Sequence, residues 1–207
     1  MELKESLIKR IVEAEWRQFQ EVQNIDGPTD CQQDRGTFEM MRTGQAISWS
    51  VPVLESYLED LESAWAEGRN LIIEKYAIMM AATAPHTYAE LAHPPHRNPP
   101  YVATLIDEAV AIVLTWEEQL YAAYPNILER GRPLYSSADG PGVTSFETYL
   151  RGELATYSLR TLKLYLTHIH QQKASNINGA RITLVYMVSQ YGYDSLEAAN
   201  QILGGSA

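Results

Sequence analysis

Apolar residues recur at the spacing of helical turns along almost the whole chain, and no segment alternates apolar and polar residues as a half-buried strand would. This spacing predicts helices over residues 2–24, 31–49, 52–68, 70–83, 102–124, 144–166, 178–190 and 195–203. The segment 70–83 is apolar nearly all round, which is typical of a helix buried on every side. We therefore expect an all-α fold, an irregular bundle of about seven or eight helices around this buried central helix.

Glycine and proline mark the joints between these helices. The first helix is followed by IDGPTD, and five prolines occupy the connection from Pro85 to Pro100. The segment Gly131–Val143, GRPLYSSADGPGV, is a long loop of a kind that is often functional, and we consider it a candidate lid. A length of 207 residues fits a single helical domain over 1–207, with a flexible tail at 204–207.

The composition limits the partners and the compartment. The formal net charge of −10 disfavours nonspecific binding to nucleic acid and docking on anionic membranes. Cys31 is the only cysteine, so neither an internal disulfide nor a four-cysteine zinc site can form. The start of the chain, MELKESLIKRIVEAEW, interrupts its apolar positions with charges, unlike a signal peptide, and no apolar run reaches the roughly 20 residues of a bilayer span. We expect a cytoplasmic protein whose partner is a small-molecule substrate or another protein.

Charged residues occupy the apolar face of the helix predicted over 144–166. Its leucines and tyrosines define one arc of the helical wheel, and Glu147 and Arg151 fall in the middle of that arc. Glu153 falls on the opposite side, where we expect water. Because Glu147 and Arg151 are one turn apart, the pattern predicts that they point inward together.

The same pattern recurs in three other predicted helices. Glu15 lies at the centre of the apolar face of the first helix. Asp34 and Gln45 share the apolar face of the second helix, with Arg42 at its edge. Glu74 interrupts the otherwise apolar fourth helix. Four helices therefore each direct at least one carboxylate toward the core.

Two interpretations of these inward charges remain open. Burying an ionised carboxylate costs several kcal/mol unless it is paired, and even a good buried pair is often no more stabilising than apolar packing. Clustered buried acids and bases are typical of active sites, where burial and neighbouring charges shift their pKa values. The alternative is a structural network in which the acids Glu15, Asp34, Glu74 and Glu147 pair with the bases Arg42, Lys75 and Arg151.

As a site, these residues suit a small polar, anionic metabolite. Glu147 would act as general acid or base or as a ligand, and the other candidate catalytic residues are Glu15, Glu74 and Asp34. The candidate substrate-binding residues, whose guanidinium or amide groups could hold an anion, are Arg42, Arg151, Arg69, Arg132 and Gln45.

A bound divalent metal is a further interpretation, with Glu15, Glu74 and Glu147 as its ligands. The familiar di-iron centre of helical bundles needs two Glu-x-x-His motifs, and the sequence has one, Glu90-Leu-Ala-His93, in the proline-rich connection. This disfavours di-iron and leaves Mg²⁺ or Mn²⁺ held by carboxylates.

Several longer runs of the sequence resemble a bacterial family described only as a domain of unknown function, number 4125. These runs are EWRQFQEVQN, CQQDRGTFEMMRTGQ, GRNLIIEKYAIMM, GRPLYSSADG and TSFETYLRGELATYS, and the similarity spans most of the chain. The resemblance implies no particular reaction. It implies a protein partner such as a nucleotidyltransferase, because similar members occur beside or fused to such a domain. The family runs contain the inward polar positions Glu15, Asp34, Arg42, Glu74, Glu147 and Arg151.

Two hypotheses of function follow from these observations. The first is a small cytoplasmic enzyme whose interior carboxylate and arginine site acts on a small anionic metabolite. The second is a noncatalytic helical module that binds a partner protein such as a nucleotidyltransferase. An enzyme requires a cavity that reaches the inward carboxylates, whereas a module predicts a filled core and an exposed apolar patch. The sequence contains no GxGxxG, P-loop, HExxH or GxSxG motif, which disfavours the commonest nucleotide-binding, zinc-protease and serine-hydrolase classes.

Overall fold

The fold is a bundle of helices. The computed structural model describes residues 2–22, 33–83 and 99–205. Within these ranges the helices are α1 (Glu2–Gln20), α2 (Arg35–Ile47), α3 (Val51–Ala66), α4 (Leu71–Thr83), α5 (Pro100–Ala123), α6 (Pro125–Leu128), α7 (Phe146–Leu154), α8 (Leu159–Ala174), α9 (Gly179–Gln190) and α10 (Leu196–Gly204). One turn of 3-10 helix covers Ser136–Ala138, and the described ranges contain no strand beyond a single bridge between Gly140 and Val143. The prediction of an all-α bundle is confirmed.

Short polar side chains cap the start of five of the ten helices in the described ranges. The caps accept a hydrogen bond from the backbone N–H three residues further on, which satisfies one of the donors that a helix leaves open at its first turn. These caps are Asp34 for α2, Ser145 for α7, Ser158 for α8, Asn178 for α9 and Ser195 for α10. In α3 and α5 a proline lies in the first turn of the helix, where its missing N–H leaves no hydrogen bond unmade.

The helix predicted over 144–166 is in fact two helices, and this prediction is wrong. The chain leaves the helical path after Leu154, and Ser158 caps the new helix α8 while its own N–H donates to Asp60 Oδ2 at 2.9 Å. The helical wheel therefore combined residues whose helix axes differ. As a result Glu153, which the wheel directed toward water, is 2% exposed.

The helices pack in an irregular arrangement. α1 contacts α2, α3 and α4, while α8 contacts α3 and α5, α7 contacts α4 and α5, and α9 contacts α2 and α5. The inner face of α3 is deeply buried, since its Val53, Leu54 and Leu61 have no exposed surface. The apolar helix α4 lies to one side of the bundle, because Leu71 and Ile72 are buried but Ile73 is 42% exposed. No helix in the described ranges is long and apolar enough to cross a bilayer.

Gly152 lies at the closest approach of α7 to α4. A Cβ atom added there would lie 2.8 Å from Cγ of Met79 and 3.2 Å from the backbone oxygen of Lys75. The absence of a side chain lets the two helices approach closely and brings the following residue, Glu153, within 3.5 Å of Lys75 Nζ.

Replacing Gly152 with alanine is expected to lower the free energy of unfolding by about 1–3 kcal/mol, because overpacking at this contact outweighs the better helix propensity of alanine. Chemical denaturation measures the change. The matched control is Gly140→Ala, where no atom lies within 4 Å of the added Cβ. A Gly152→Ala protein as stable as the control would contradict the close packing of α4 and α7.

Candidate functional site

Four charged side chains from four helices meet in the interior. Glu15 comes from α1, Arg42 from α2, Lys75 from α4 and Glu153 from α7, and they are 0%, 8%, 3% and 2% exposed. These four side chains form the buried charge network. Charges buried to this extent are stabilised only when each is paired and hydrogen-bonded.

Arg42 is the centre of the buried charge network. Its guanidinium meets Glu15 through two parallel hydrogen bonds, one from Nε to Oε2 at 2.7 Å and one from Nη2 to Oε1. On the other side Nη1 donates to Gln45 Oε1 at 2.7 Å and to Glu153 Oε2 at 3.2 Å, and Nη2 lies 3.4 Å from Glu153 Oε1. These contacts use every N–H that a guanidinium carries. Arg42 therefore has no donor left for a ligand.

The two carboxylates of the network are equally well satisfied. Tyr57 donates to Glu15 at 2.7 Å, and Tyr157 donates to Glu153 at 3.1 Å. The amide nitrogen of Gln45 also donates a hydrogen bond to Glu153. No polar side-chain atom that is fully buried lacks a hydrogen-bond partner among the described residues.

The charges in the network fix the protonation of Glu153. Burial alone would raise the pKa of this carboxyl, but Arg42 and Lys75 lower it to about 2, so the group is ionised at neutral pH. Burial alone would lower the pKa of Lys75, and the neighbouring Tyr149 and Glu153 raise it instead, so the ammonium is also kept. Glu153 and Lys75 therefore form a pair of opposite charges inside the network.

A cavity of about 1170 Å³ opens beside the buried charge network. Residues from α2, α4, α5, α7, α8 and α9 line it, and Arg42, Gln45, Lys75 and Glu153 form part of its wall. Most of the remaining wall is apolar or aromatic. The aromatic residues include Trp49, Trp116, Tyr121, Phe146, Tyr165, Tyr191 and Tyr193. The volume is somewhat larger than the roughly 300–1,000 Å³ of most small-molecule sites, and an apolar wall with a few polar groups is their usual composition.

Two cations lie near the ring of Tyr149 at this cavity. Lys75 Nζ lies 4.3 Å from the centre of the ring and donates to the phenol oxygen at 2.8 Å, while Cζ of Arg132 lies 5.0 Å from the same centre. Both distances are within the range of cation–π contact. Arg132 donates to Thr144 O at 3.1 Å, and no carboxylate in the described part of the chain pairs with it. Arg132 is thus an exposed cation that lines the cavity without a counter-charge.

Glu117 lines the cavity and was missed in the sequence analysis. It has no hydrogen bond or ion pair within the described ranges, and burial raises its pKa to about 7. The signal was present in the sequence, because Val113 and Leu120 place Glu117 on the apolar face of α5 at spacings of four and three residues. The criterion used for four other helices, a charged residue on the apolar face, also selects Glu117 in α5.

Glu147 and Arg151 form the predicted pair, with Nε of Arg151 3.0 Å from Glu147 Oε1, but they do not line the cavity. Glu147 accepts a hydrogen bond from the backbone of Ser136 at 2.9 Å, and Arg151, 39% exposed, extends to Asp107. The prediction that both point into the core is wrong. The break before α8 leaves them on the side of α7 that meets the 131–143 loop and α5.

The structure also separates Glu74, Arg69 and Asp34 from the network. Glu74 is in the first turn of α4 and binds Arg69 through two hydrogen bonds of 2.8 Å at the surface, so its predicted inward position is wrong. Asp34 caps α2 by accepting from Thr37 N at 2.9 Å and lies exposed where it lines the cavity.

The three carboxylates considered as metal ligands do not meet. Glu15 binds Arg42, Glu74 binds Arg69, and Glu147 binds Arg151. Across residues 2–22, 33–83 and 99–205, no three His, Cys, Asp or Glu side chains form a group that could hold a metal ion. Cys31 and the Glu90-to-His93 motif lie outside the described residues.

The candidate lid loop 131–143 borders the cavity. Its Gly131, Arg132 and Leu134 line the wall. The loop is held to the helices by Tyr135, which donates to Glu118 at 2.6 Å, and by Asp139, which accepts from Ser145 N at 2.7 Å. The lid function of this loop stays a prediction.

Replacing Glu153 with glutamine should lower the free energy of unfolding by about 3–5 kcal/mol near pH 7, because it leaves Lys75 buried without a charged partner. Replacing Glu147 with glutamine should cost only about 1 kcal/mol, since its ion pair is partly exposed. Chemical denaturation of both variants measures the difference. Equal losses would contradict the assignment of Glu153 to the buried network and Glu147 to the periphery.

The cost of the Glu153→Gln change should depend on pH. The pKa of Glu153 is about 2 in the folded protein, and the ordinary value is 4.5. The ionised carboxylate thus stabilises the fold fully above about pH 4.5, and this contribution is lost as the pH falls toward 2. The difference in the free energy of unfolding between wild type and Glu153→Gln is expected to decrease as the pH falls from about 4.5 toward 2.

Comparison with known families identifies the chain. A family model described as "Protein of unknown function (DUF4125)" matches residues 5–201, so the chain belongs to that family. No curated protein and no solved structure matches the chain.

Proposed function

We propose that this member of the DUF4125 family is a small cytoplasmic enzyme that binds a small polar, anionic metabolite in the cavity beside the buried charge network. The proposal is supported by one observation above all, the two cations Lys75 and Arg132 that both lie near the ring of Tyr149 at the cavity. A small cavity region with two cations and an aromatic ring suits an anionic group attached to a flat or apolar body.

The two cations differ from Arg42 in the donors that they have to spare. An ammonium has three N–H donors, and Lys75 uses two of them, on Tyr149 and Glu153. Arg132 makes one hydrogen bond to the backbone, which leaves most of its planar donor set for a carboxylate or a phosphate. We therefore assign anion binding to Arg132 and Lys75, in place of the Arg42, Arg151 and Arg69 of the sequence hypothesis.

The buried charge network has a different role in this proposal. Arg42, Glu15 and Glu153 are saturated by one another and by their neighbours, so they hold Lys75 and Gln45 in place in the wall of the cavity. When the polar groups of a site are already held in place, the protein binds its ligand without the free-energy cost of rearranging those side chains.

An enzymatic role is supported by the carboxyl of Glu117. It lines the same cavity, and burial brings its pKa to about 7, near the pH at which a cytoplasmic enzyme works. A group that gains and loses a proton near the operating pH is what general acid–base catalysis requires. The proposal places Glu117 in the role that the sequence hypothesis gave to Glu147.

The cavity also favours this proposal over the alternative of a noncatalytic helical module for a partner such as a nucleotidyltransferase. That alternative calls for a filled core, whereas a volume of about 1170 Å³ lies next to the inward charges. The exposed apolar side chains of the described residues are spread over several helices, among them Leu3, Met41, Tyr101, Val185 and Ile202.

The proposal predicts that at least one compound from a panel of small carboxylates and phosphates raises the melting temperature of the wild-type protein in proportion to its concentration. Replacing Arg132 with alanine should weaken that affinity about tenfold, which corresponds to about 1.4 kcal/mol. Calorimetry on wild type and variant measures the ratio.

The matched control is Arg160→Ala, which removes a surface arginine that pairs with Glu59 away from the cavity. Its affinity for the same compound should equal that of the wild type. If Arg132→Ala binds as tightly as Arg160→Ala, anion binding at Arg132 is contradicted.

A further inference from the structure

Glu117 is a half-buried carboxyl in the wall of the cavity for which the described part of the protein supplies no partner. The carboxylates of Glu15 and Glu153 each accept several hydrogen bonds, whereas Glu117 accepts none from any described residue. A carboxyl that is partly removed from water and has no partner is harder to ionise, and a bound cationic partner would stabilise its charged form. In the wall of a cavity, the missing partner can be supplied by a bound molecule.

The surroundings of Glu117 indicate what kind of partner that is. On its own helix it lies beside Trp116 and within one turn of Tyr121, and α8 brings Tyr165 close enough for the two groups to interact. Burial raises the pKa of both tyrosines, and Glu117 raises them further, so both phenols are neutral. Glu129 is the other acidic group that acts on Tyr121.

No cation of the described chain occupies this position. Arg130 and Arg132 line the same cavity, but they donate to the backbone oxygens of Leu203 and Thr144 and form no ion pair with Glu117. An unpaired carboxylate that acts on two tyrosines, in a cavity lined by further aromatic rings, is an arrangement that suits a protonated amine, through N–H to oxygen hydrogen bonds and cation–π contacts.

We propose that Glu117 receives a basic nitrogen of the bound molecule, so that the ligand of the cavity carries a protonated amine in addition to its anionic group. This inference rests on the proposed function, since it assigns the second charged group of the same ligand. The anionic group lies toward Lys75 and Arg132 on α4 and the 131–143 loop, and the amine lies toward α5.

Binding of an ammonium group at Glu117 depends on pH, because Glu117 itself titrates near neutral pH. With a pKa of about 7, the carboxyl is mostly protonated at pH 6 and mostly ionised at pH 8. An ammonium group pairs with the ionised form, so its affinity rises as the pH increases through about 7 and falls again only when the amine itself loses its proton, near pH ~10. The affinity for a neutral ligand is not expected to rise with pH in this way.

The experiment uses the full chain and two probes of the same shape, 2-phenylethylamine and 2-phenylethanol, measured by calorimetry between pH 6 and 8. The amine is expected to bind the wild type more tightly at pH 8 than at pH 6, and more tightly than the alcohol. Glu117→Gln should weaken amine binding at pH 8 at least tenfold and leave the alcohol unchanged. The matched control is Glu118→Gln, which alters the adjacent exposed carboxylate that bonds to Tyr135.

Three outcomes would overturn the inference: equal binding of the two probes, an amine affinity that does not change with pH, or equal amine binding by the Glu117 and Glu118 variants. A third probe, 3-phenylpropionate, separates this inference from the proposed function. If it binds and Arg132→Ala weakens it while the amine fails, the anion site stands and the amine site is rejected. If the amine binds as expected and 3-phenylpropionate does not respond to Arg132, the proposed anion site is rejected instead. The wild-type pH profile keeps the test decisive even if Glu117→Gln is poorly folded.

Discussion

The paired hydrogen bonds between Arg42 and Glu15, extended by Glu153 and Lys75, are the contact on which the rest of the structure depends. Each of these charges would cost several kcal/mol if it were buried alone. Because they come from α1, α2, α4 and α7, all four helices have to reach their final positions before every charge of the network is satisfied. The network thus contributes less to net stability than to the choice of one arrangement of the helices, and it fixes the wall of the cavity.

The cavity combines polar groups of two kinds. Within the buried charge network Arg42, Glu15 and Glu153 are fully engaged, so Glu153 stays ionised and Arg42 has no free donor, whereas Lys75 keeps one donor for a ligand. Arg132 and Glu117 line the same space and lack a charged partner in the described ranges. This division separates the residues that hold the site from the residues that a ligand would contact. Inward position alone, which was the criterion in the sequence, does not make that distinction.

The sequence predicts the helices well because periodicity and short polar caps are local properties, as Asp34, Ser145 and Ser195 illustrate. It also directs Glu15 and Arg42 inward, since α1 and α2 continue without a break. It fails at Glu153 because the change of direction between α7 and α8 is stabilised by Asp60, a contact across 98 residues of chain. Besides pairing with each other, Glu147 accepts a hydrogen bond from Ser136 and Arg151 donates to Asp107. These two further contacts are tertiary, so a helical wheel does not contain them.

The central claim is that one cavity wall carries a saturated, ionised carboxylate while another carries an unpaired carboxyl. Carbon-13 NMR titration of the glutamate side chains, with Glu153→Gln and Glu117→Gln used for assignment, tests it most directly. The account predicts that Glu153 titrates near pH 2 and Glu117 near pH 7, on opposite sides of the ordinary value of 4.5. If both carboxyls titrate close to 4.5, neither the buried network nor the unpaired carboxyl exists in the form described.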